Sequence, residues 1–365
     1  METSKVKQIH DYGQSIWLDF IDRDIIKSGK LKELIDNDGV RGLTSNPAIF
    51  EKAISSSADY DSDIAELSGQ QLSNEDIFYK LAVKDIQQAA DILLPVYNEE
   101  VEGADGYVSL EVSPLLALDT DGTVKQALEL WKAVDRKNVM IKIPGTQPGL
   151  SAIKQTISQG LNINVTLLFG LERYRKVAEA YIEGLEERAA RGESIKEIAS
   201  VASFFLSRID VLIDPILDEK ELKDLKGEVA IASAKLAYEI YKELFSTERW
   251  NKLKALGARP QRLLWASTSS KNPAFKDTKY VEALIGADTV DTIPMETLEA
   301  YRDHGDPESR LETDLEGASA VLAQLRHADI DLAKLTQQLE DEGIEKFNAP
   351  YEKLLNAIEK QKESA

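Results

Sequence analysis

The sequence predicts an α/β protein, a closed (β/α)8 barrel of parallel strands with additional helices toward its C-terminal end. Short β-type runs alternate with longer helical stretches eight times along the 365 residues; such alternation implies parallel pairing, and eight units are enough to close a barrel. No G-x-G-x-x-G follows any strand, which argues against an open doubly wound sheet, the structural alternative. At this length an α/β barrel is routinely one domain, so residues 1–365 are expected to form a single barrel domain, with a helical extension packed on it from about 315 to 365.

In chain order, the strand candidates are SIWLDF (15–20), RGLTSN (41–46), YVSLEV (107–112), VMIKIP (139–144), INVTLLF (163–169), IASVASFF (198–205), RLLWAS (262–267) and DTVDTI (288–293). Each is a short β-type run of the length strands favour. The fourth shows how such a run is bounded: Val139, Met140, Ile141 and Ile143 lie between Asn138 and the pair Pro144-Gly145. Between the runs are helical patterns such as EDIFYKLAVKDIQQAADILLPVYNE, GTVKQALELWKAV and LERYRKVAEAYIEGLEERAARG. After about residue 315 the pattern is helical to the end, with acidic and basic faces that read as solvated helix surface.

Composition removes several function classes. Hydrophobic residues at 43% and charged residues at 30% describe a globular protein. No apolar run approaches the roughly 20 residues of a membrane span, and METSKVKQIHDYG lacks an apolar signal core, so a cytoplasmic protein without membrane contact is expected. A net charge of −20 with no basic stripe argues against a nucleic-acid face, though not against a small anionic substrate held by a local cationic pocket. With no cysteine, and with His10, His304 and His327 isolated, neither thiol chemistry nor a histidine metal site is expected.

Most strand runs carry a polar residue where an apolar one is expected: Asp19, Asn46, Glu111, Lys142, Asn164 with Thr166, Ser203 and Ser267. Alternate strand positions point into a barrel, and catalytic groups gather at the C-terminal ends. With Ile141 and Ile143 toward the helices, Lys142 points inward. Desolvation disfavours an ammonium, and a neutral amine adds to a carbonyl as a Schiff base. Glu111 is suited to relay protons through a water, Asp19 to take a hydroxyl proton during C–C cleavage, and Asn46, Asn164 and Ser203 to bind a polyhydroxylated substrate. The set describes a metal-free aldolase-type site. The bland alternative is a barrel whose polar residues only hydrate its mouth. Two segments point to a phosphate: WASTSSKNPAF (265–275), which looks like a helix start after the seventh strand, and Arg208 after the sixth. Read alone, SSKNP is also an ordinary capped turn.

At these residues the chain resembles the transaldolases. GLTSNPAIF (42–50) is similar to their asparagine signature and VMIKIPGTQPGL (139–150) to their Schiff-base lysine signature. NINVTLLFG and SFFLSR are similar to their fifth- and sixth-strand segments, and the resemblance runs from about residue 12 to 310. It implies a circularly permuted TIM barrel of the class I aldolase type. The implied activity, in the pentose phosphate pathway, moves a dihydroxyacetone unit from sedoheptulose 7-phosphate to glyceraldehyde 3-phosphate, giving erythrose 4-phosphate and fructose 6-phosphate, with no cofactor. It further implies Lys142 as nucleophile, Asp19 as the acid/base of cleavage, and Glu111 with Thr166 holding the relay water. Asn46, Asn164 and Ser203 would bind the dihydroxyacetone hydroxyls, Phe205 line the pocket, and Arg208 hold the phosphate. Many transaldolases have A-S-F-R-N after strand seven; here the run is Ala266-Ser267-Thr268-Ser269-Ser270-Lys271-Asn272, so Ser267 matches while a serine or Lys271 takes the arginine's place. The segment IWLDFIDRD and the helical tail resemble a longer bacterial and cyanobacterial branch. Fructose 6-phosphate aldolase, which releases free dihydroxyacetone, is the alternative; that branch carries glutamine at the relay position and tyrosine near the pocket, where this chain has Glu111 and Phe205. A catalytically silent barrel acting as a binding module is the reading from another class. The implied partners are small sugar phosphates, and a monomer or homodimer fits equally.

Overall fold

The computed structural model describes residues 3–99 and 103–364. Eight parallel strands close on themselves in sequence order: β1 (Gln14–Asp19), β2 (Gly42–Thr44), β3 (Tyr107–Glu111), β4 (Val139–Pro144), β5 (Ile163–Leu168), β6 (Ser200–Phe205), β7 (Arg262–Ala266) and β8 (Thr289–Ile293). Each falls within or against one of the predicted runs. The strands are buried on both faces because helices cover the outside and side chains fill the inside, which is why they read as near-continuous apolar runs. In β4 every residue from Val139 to Pro144 is buried.

The register places the polar strand residues side by side. Glu111 pairs with Lys142, Lys142 with Asn164, and Pro144 with Thr166. Trp17 pairs with Thr292 where β1 closes on β8. The β5–β6 register shifts between Val165 and Leu168, and Leu167 has φ 59°, a conformation that costs an L residue roughly 1–3 kcal/mol.

Opposite the site, the barrel floor is a charged plug. The Trp17 indole lies so close to Gly42 that a Cβ there would meet the ring at 2.5 Å, so only glycine fits. Trp17 Nε1 donates to Asp105 at 2.6 Å, Ser15 donates to the same carboxylate, and Arg41 and Arg262 approach it at 3.4 and 3.6 Å. A carboxylate buried here is satisfied by donors from several elements.

The helix Leu332–Ser364 crosses the opposite end. Phe347, Tyr351, Leu354 and Ile358 are all buried; their spacing of four, three and four makes one apolar stripe. The helix packs on Pro47–Ser56 and Asn74–Tyr97. It is pinned by Tyr351 Oη donating to Glu75 at 2.6 Å, by the Arg173–Glu340 ion pair at 2.9 Å, and by Gly343 seated where a Cβ would lie 3.0 Å from the Leu167 side chain. Among the described residues no helix is long and apolar enough to cross a membrane.

Candidate active site

A cavity of about 240 Å³ opens at the C-terminal ends of the strands. It is lined by Asp19, Asn46, Lys142, Ser203, Phe205, Arg208, Ser267 and Lys271, eight of the sequence-predicted site residues, together with Thr44, Thr292, Glu296, Lys346, Phe347 and Pro350 among others. Glu111 faces an adjoining small void with Asn46 and Tyr79. Asn164 and Thr166 lie fully buried beneath.

Lys142, the fourth of the six residues of β4, is 5% exposed. Its Nζ donates to the Ser45 carbonyl at 3.1 Å and stands 3.6 Å from Glu111 Oε2. The lysine is therefore not merely desolvated, as the sequence suggests; it has a carboxyl partner supplied by register. Burial pushes the Glu111 carboxyl up to about 7, against the downward pull of Lys142. Neither Glu111 oxygen nor the Thr166 hydroxyl has a hydrogen-bond partner in the protein. Buried polar groups are almost always satisfied, and none of these three atoms is satisfied from within the protein.

On the β1 side, the Asp19 carboxylate accepts from Thr44 Oγ1 at 2.7 Å, and Thr44 Oγ1 in turn lies 2.7 Å from Thr292 Oγ1. Burial raises the Asp19 carboxyl above the usual range, Lys142 and the Thr44 hydroxyl oppose that, and Glu296 adds to it. Asn46 occupies the N-cap of helix Pro47–Ser56, its Oδ1 accepting from Ile49 N at 3.0 Å, so its amide nitrogen is the end left for a ligand. Asn164 is held at both ends: Nδ2 donates to Ser109 Oγ at 3.0 Å and Oδ1 accepts from Ser203 Oγ at 2.7 Å. Asn164 and Ser203 thus orient one another.

Arg208 lies in the first turn of helix Ser207–Glu219, with its guanidinium carbon 5.4 Å from the Phe205 ring centroid and 5.8 Å from that of Phe347. Its Nη1 is buried without a partner, and no carboxylate among the described residues pairs with it. Burial lowers its pKa. A desolvated cation without a counterion is a site for an anion. Ser267 has φ 56°, and its hydroxyl lies 2.7 Å from that of Ser207. Lys271 is exposed, its Nζ donating to Ser269 Oγ at 2.6 Å.

One expectation changes. No helix starts at Ser269–Asn272: the segment is a loop, and the next helix is Lys279–Ala283. Asn272 satisfies its surroundings locally, accepting from Ala274 N at 3.0 Å through its side chain and from Phe275 N at 3.0 Å through its carbonyl, which closes a turn rather than opening a helix. The helix start at the anion end belongs to Ser207 instead. Sequence reasoning also missed Thr44, Thr292, Lys346 and Phe347. The threonines could have been found as further polar residues in strand runs; Lys346 is one lysine among several on a long helix.

Two other features are separate from this site. Asp291 pairs in register with outward-facing Ile16 and Trp265, and burial pushes its carboxyl to about 8, so it sits neutral behind the barrel wall. A larger groove of about 750 Å³ lies between Phe169, Arg173, Leu322 and Glu340; it shares no lining residue with the Lys142 cavity, and Phe169 at its edge packs 5.3 Å from Phe205.

The family described as "Transaldolase/Fructose-6-phosphate aldolase" matches residues 16–358. A protein named Transaldolase from Trichodesmium erythraeum is 50% identical over 374 residues, covering 99% of this chain and 98% of that one. A protein named Transaldolase 2 from Nostoc punctiforme is 49% identical, covering 98% of each. One named Transaldolase from Saccharopolyspora erythraea is 46% identical, covering 99% of each.

Proposed function

The chain belongs to the transaldolase/fructose-6-phosphate aldolase family and is a transferase of the transaldolase kind; from that premise we propose that it carries a dihydroxyacetone unit from sedoheptulose 7-phosphate to glyceraldehyde 3-phosphate on Lys142, as a cytoplasmic enzyme of the pentose phosphate pathway. The observation that supports this most is that Lys142 and Asp19 face one cavity at the C-terminal end of the barrel, with Lys142 Nζ 3.6 Å from Glu111 Oε2.

The Lys142 amine adds to the ketose carbonyl carbon, and the resulting carbinolamine loses water as Glu111 donates a proton through the water it shares with Thr166. A carboxyl held near 7 exchanges that proton readily at neutral pH. Asp19 then takes the proton of the hydroxyl two carbons from the imine carbon. The C–C bond between breaks, its electrons pass into the imine as an enamine, and the aldose phosphate leaves. The reverse steps add the enamine to an acceptor aldehyde, with Asp19 returning the proton. Asn46, Asn164 and Ser203 hold the dihydroxyacetone hydroxyls, and Arg208, with Ser267 and Lys271, holds the phosphate. Phe205 brings no hydroxyl to the enamine, which favours transfer over release and supports the transferase over the aldolase reading.

Borohydride with fructose 6-phosphate tests the assignment. The expected result is one modified peptide carrying Lys142, loss of label and turnover in Lys142→Met with the fold retained, and rapid cycling only when erythrose 4-phosphate is added. A label on another lysine, or an active methionine variant, overturns the Schiff-base role of Lys142.

A further inference from the structure

The C-terminal helix brings a cation to the cavity that nothing in the strand motifs announces. Of the cationic side chains lining the cavity, Lys142 is engaged with Glu111 and the Ser45 carbonyl, Arg208 has no acidic partner, and Lys271 rests on the Ser269 hydroxyl. The fourth is Lys346. Its backbone position is set by the next residue: Phe347 is 7% exposed, with its ring 5.8 Å from the Arg208 guanidinium carbon. The helix is fixed by its buried stripe, by Tyr351 on Glu75 and by Gly343 against Leu167. Lys346 is thus carried on a rigid element to the rim of the cavity on the side of Arg208.

We propose that Lys346 is a phosphate-binding residue of this site, swinging from the helix surface onto the phosphomonoester of the bound sugar and sharing it with Arg208. The inference rests on the sugar-phosphate reading above. The physical case is one of charge. A phosphomonoester is close to a dianion at neutral pH; Arg208 supplies one positive charge from a buried position, and Lys271, the other cation assigned to the phosphate, is exposed and rests on the Ser269 hydroxyl. Asp19 and Glu296 face the same cavity and repel an anion there. Lys346 Nζ lies 3.0 Å from Glu342 Oε2, one turn back on the same helix, with the two side chains 54% and 40% exposed. Such a pair is weak and gives way to a better anion. A lysine, as a mobile point charge, complements the planar fork of Arg208.

The experiment compares Lys346→Met, which keeps the stem, with Lys346→Arg and with Lys353→Met, an exposed lysine on the same helix. Two measurements are made on the full chain: calorimetric binding of inorganic phosphate, and steady-state kinetics with phosphorylated and unphosphorylated acceptors (erythrose 4-phosphate against erythrose). For Lys346→Met the expected result is a roughly five- to tenfold weaker phosphate Kd and higher KM for the phosphorylated acceptor. At saturating fructose 6-phosphate, kcat should change less than twofold and kcat/KM for erythrose should be unchanged. Lys346→Arg should recover most of the loss, and Lys353→Met should match the parent. An unchanged phosphate Kd in Lys346→Met overturns the proposal. So does an equal loss with erythrose, which would mean the residue only docks the helix. Absence of transfer in the parent protein, with phosphate binding still weakened by Lys346→Met, would overturn the reaction reading and leave this inference standing.

Discussion

Replacing Glu111 with glutamine should make the protein more stable and less active, in a way that depends on pH. Glu111 is 5% exposed, and burial raises its carboxyl from 4.5 to about 7 even beside Lys142. A carboxyl whose pKa is higher folded than unfolded binds its proton more tightly in the native state. The cost of ionising it there is absent below the unfolded value, grows as pH rises from 4.5 to about 7, and is complete above that. At about 1.4 kcal/mol per unit of pKa, the cost is roughly 3 kcal/mol at pH 8. Glutamine has nearly the shape of the protonated acid and never ionises. Glu111→Gln should therefore stabilise by roughly 3 kcal/mol at pH 8 and by almost nothing at pH 4. For 365 residues at about 2.1 cal/mol/K each, that is about 4 °C in Tm. The same change removes the acid/base of carbinolamine dehydration, so kcat should fall by roughly 10²–10⁴. Thermal melts of both proteins from pH 4 to 8, with activity at each pH, measure the two effects together. A Tm difference that does not vary with pH, or a variant less stable at pH 8, would show that Glu111 is fully compensated by Lys142 and that burial does not tune it.

Two further substitutions test the ends of the cavity. Arg208→Ala should raise KM for phosphorylated substrates by roughly ten- to a hundredfold, from the loss of charge-assisted hydrogen bonds worth ~1.5–3 kcal/mol; a loss of the same size with unphosphorylated sugars would make Arg208 structural. Phe205→Tyr places a hydroxyl where the ring now packs 5.3 Å from Phe169. It should increase free dihydroxyacetone formed from fructose 6-phosphate without acceptor while slowing transfer, and an unchanged partition between the two would remove Phe205 from the control of release.

The strands were readable because each is a short run rich in β-forming residues between turn residues, and because a charge in an apolar run, as at Lys142 in β4, has few physical explanations. Register then did what sequence spacing cannot. Glu111, Lys142 and Asn164 come from three strands and become neighbours only when β3, β4 and β5 pair. The segment Ser269–Asn272 misled because the residues that cap helices also close turns, and Asn272 does the latter. Lys346 was not legible at all. Its helix carries Lys334, Lys353, Lys360 and Lys362 as well, and only the docking of Phe347 and Tyr351 decides which lysine reaches the cavity.

The closure of β1 on β8 has a consequence for how the protein is made. Gln14 and Thr289, hydrogen-bonded at 3.0 Å across that seam, are 275 residues apart in the chain. At a synthesis rate of about 5–20 residues per second, the first waits on the order of ten seconds or more for the second, and longer still for the helix that carries Phe347. Throughout that interval β1 has an open edge, and the half-made barrel exposes a strand with unpaired N–H and C=O groups. The nascent chain is a client for any factor that shields such edges, and a ribosome stalled before residue 289 would hold a sticky, inactive intermediate, not a partly working enzyme.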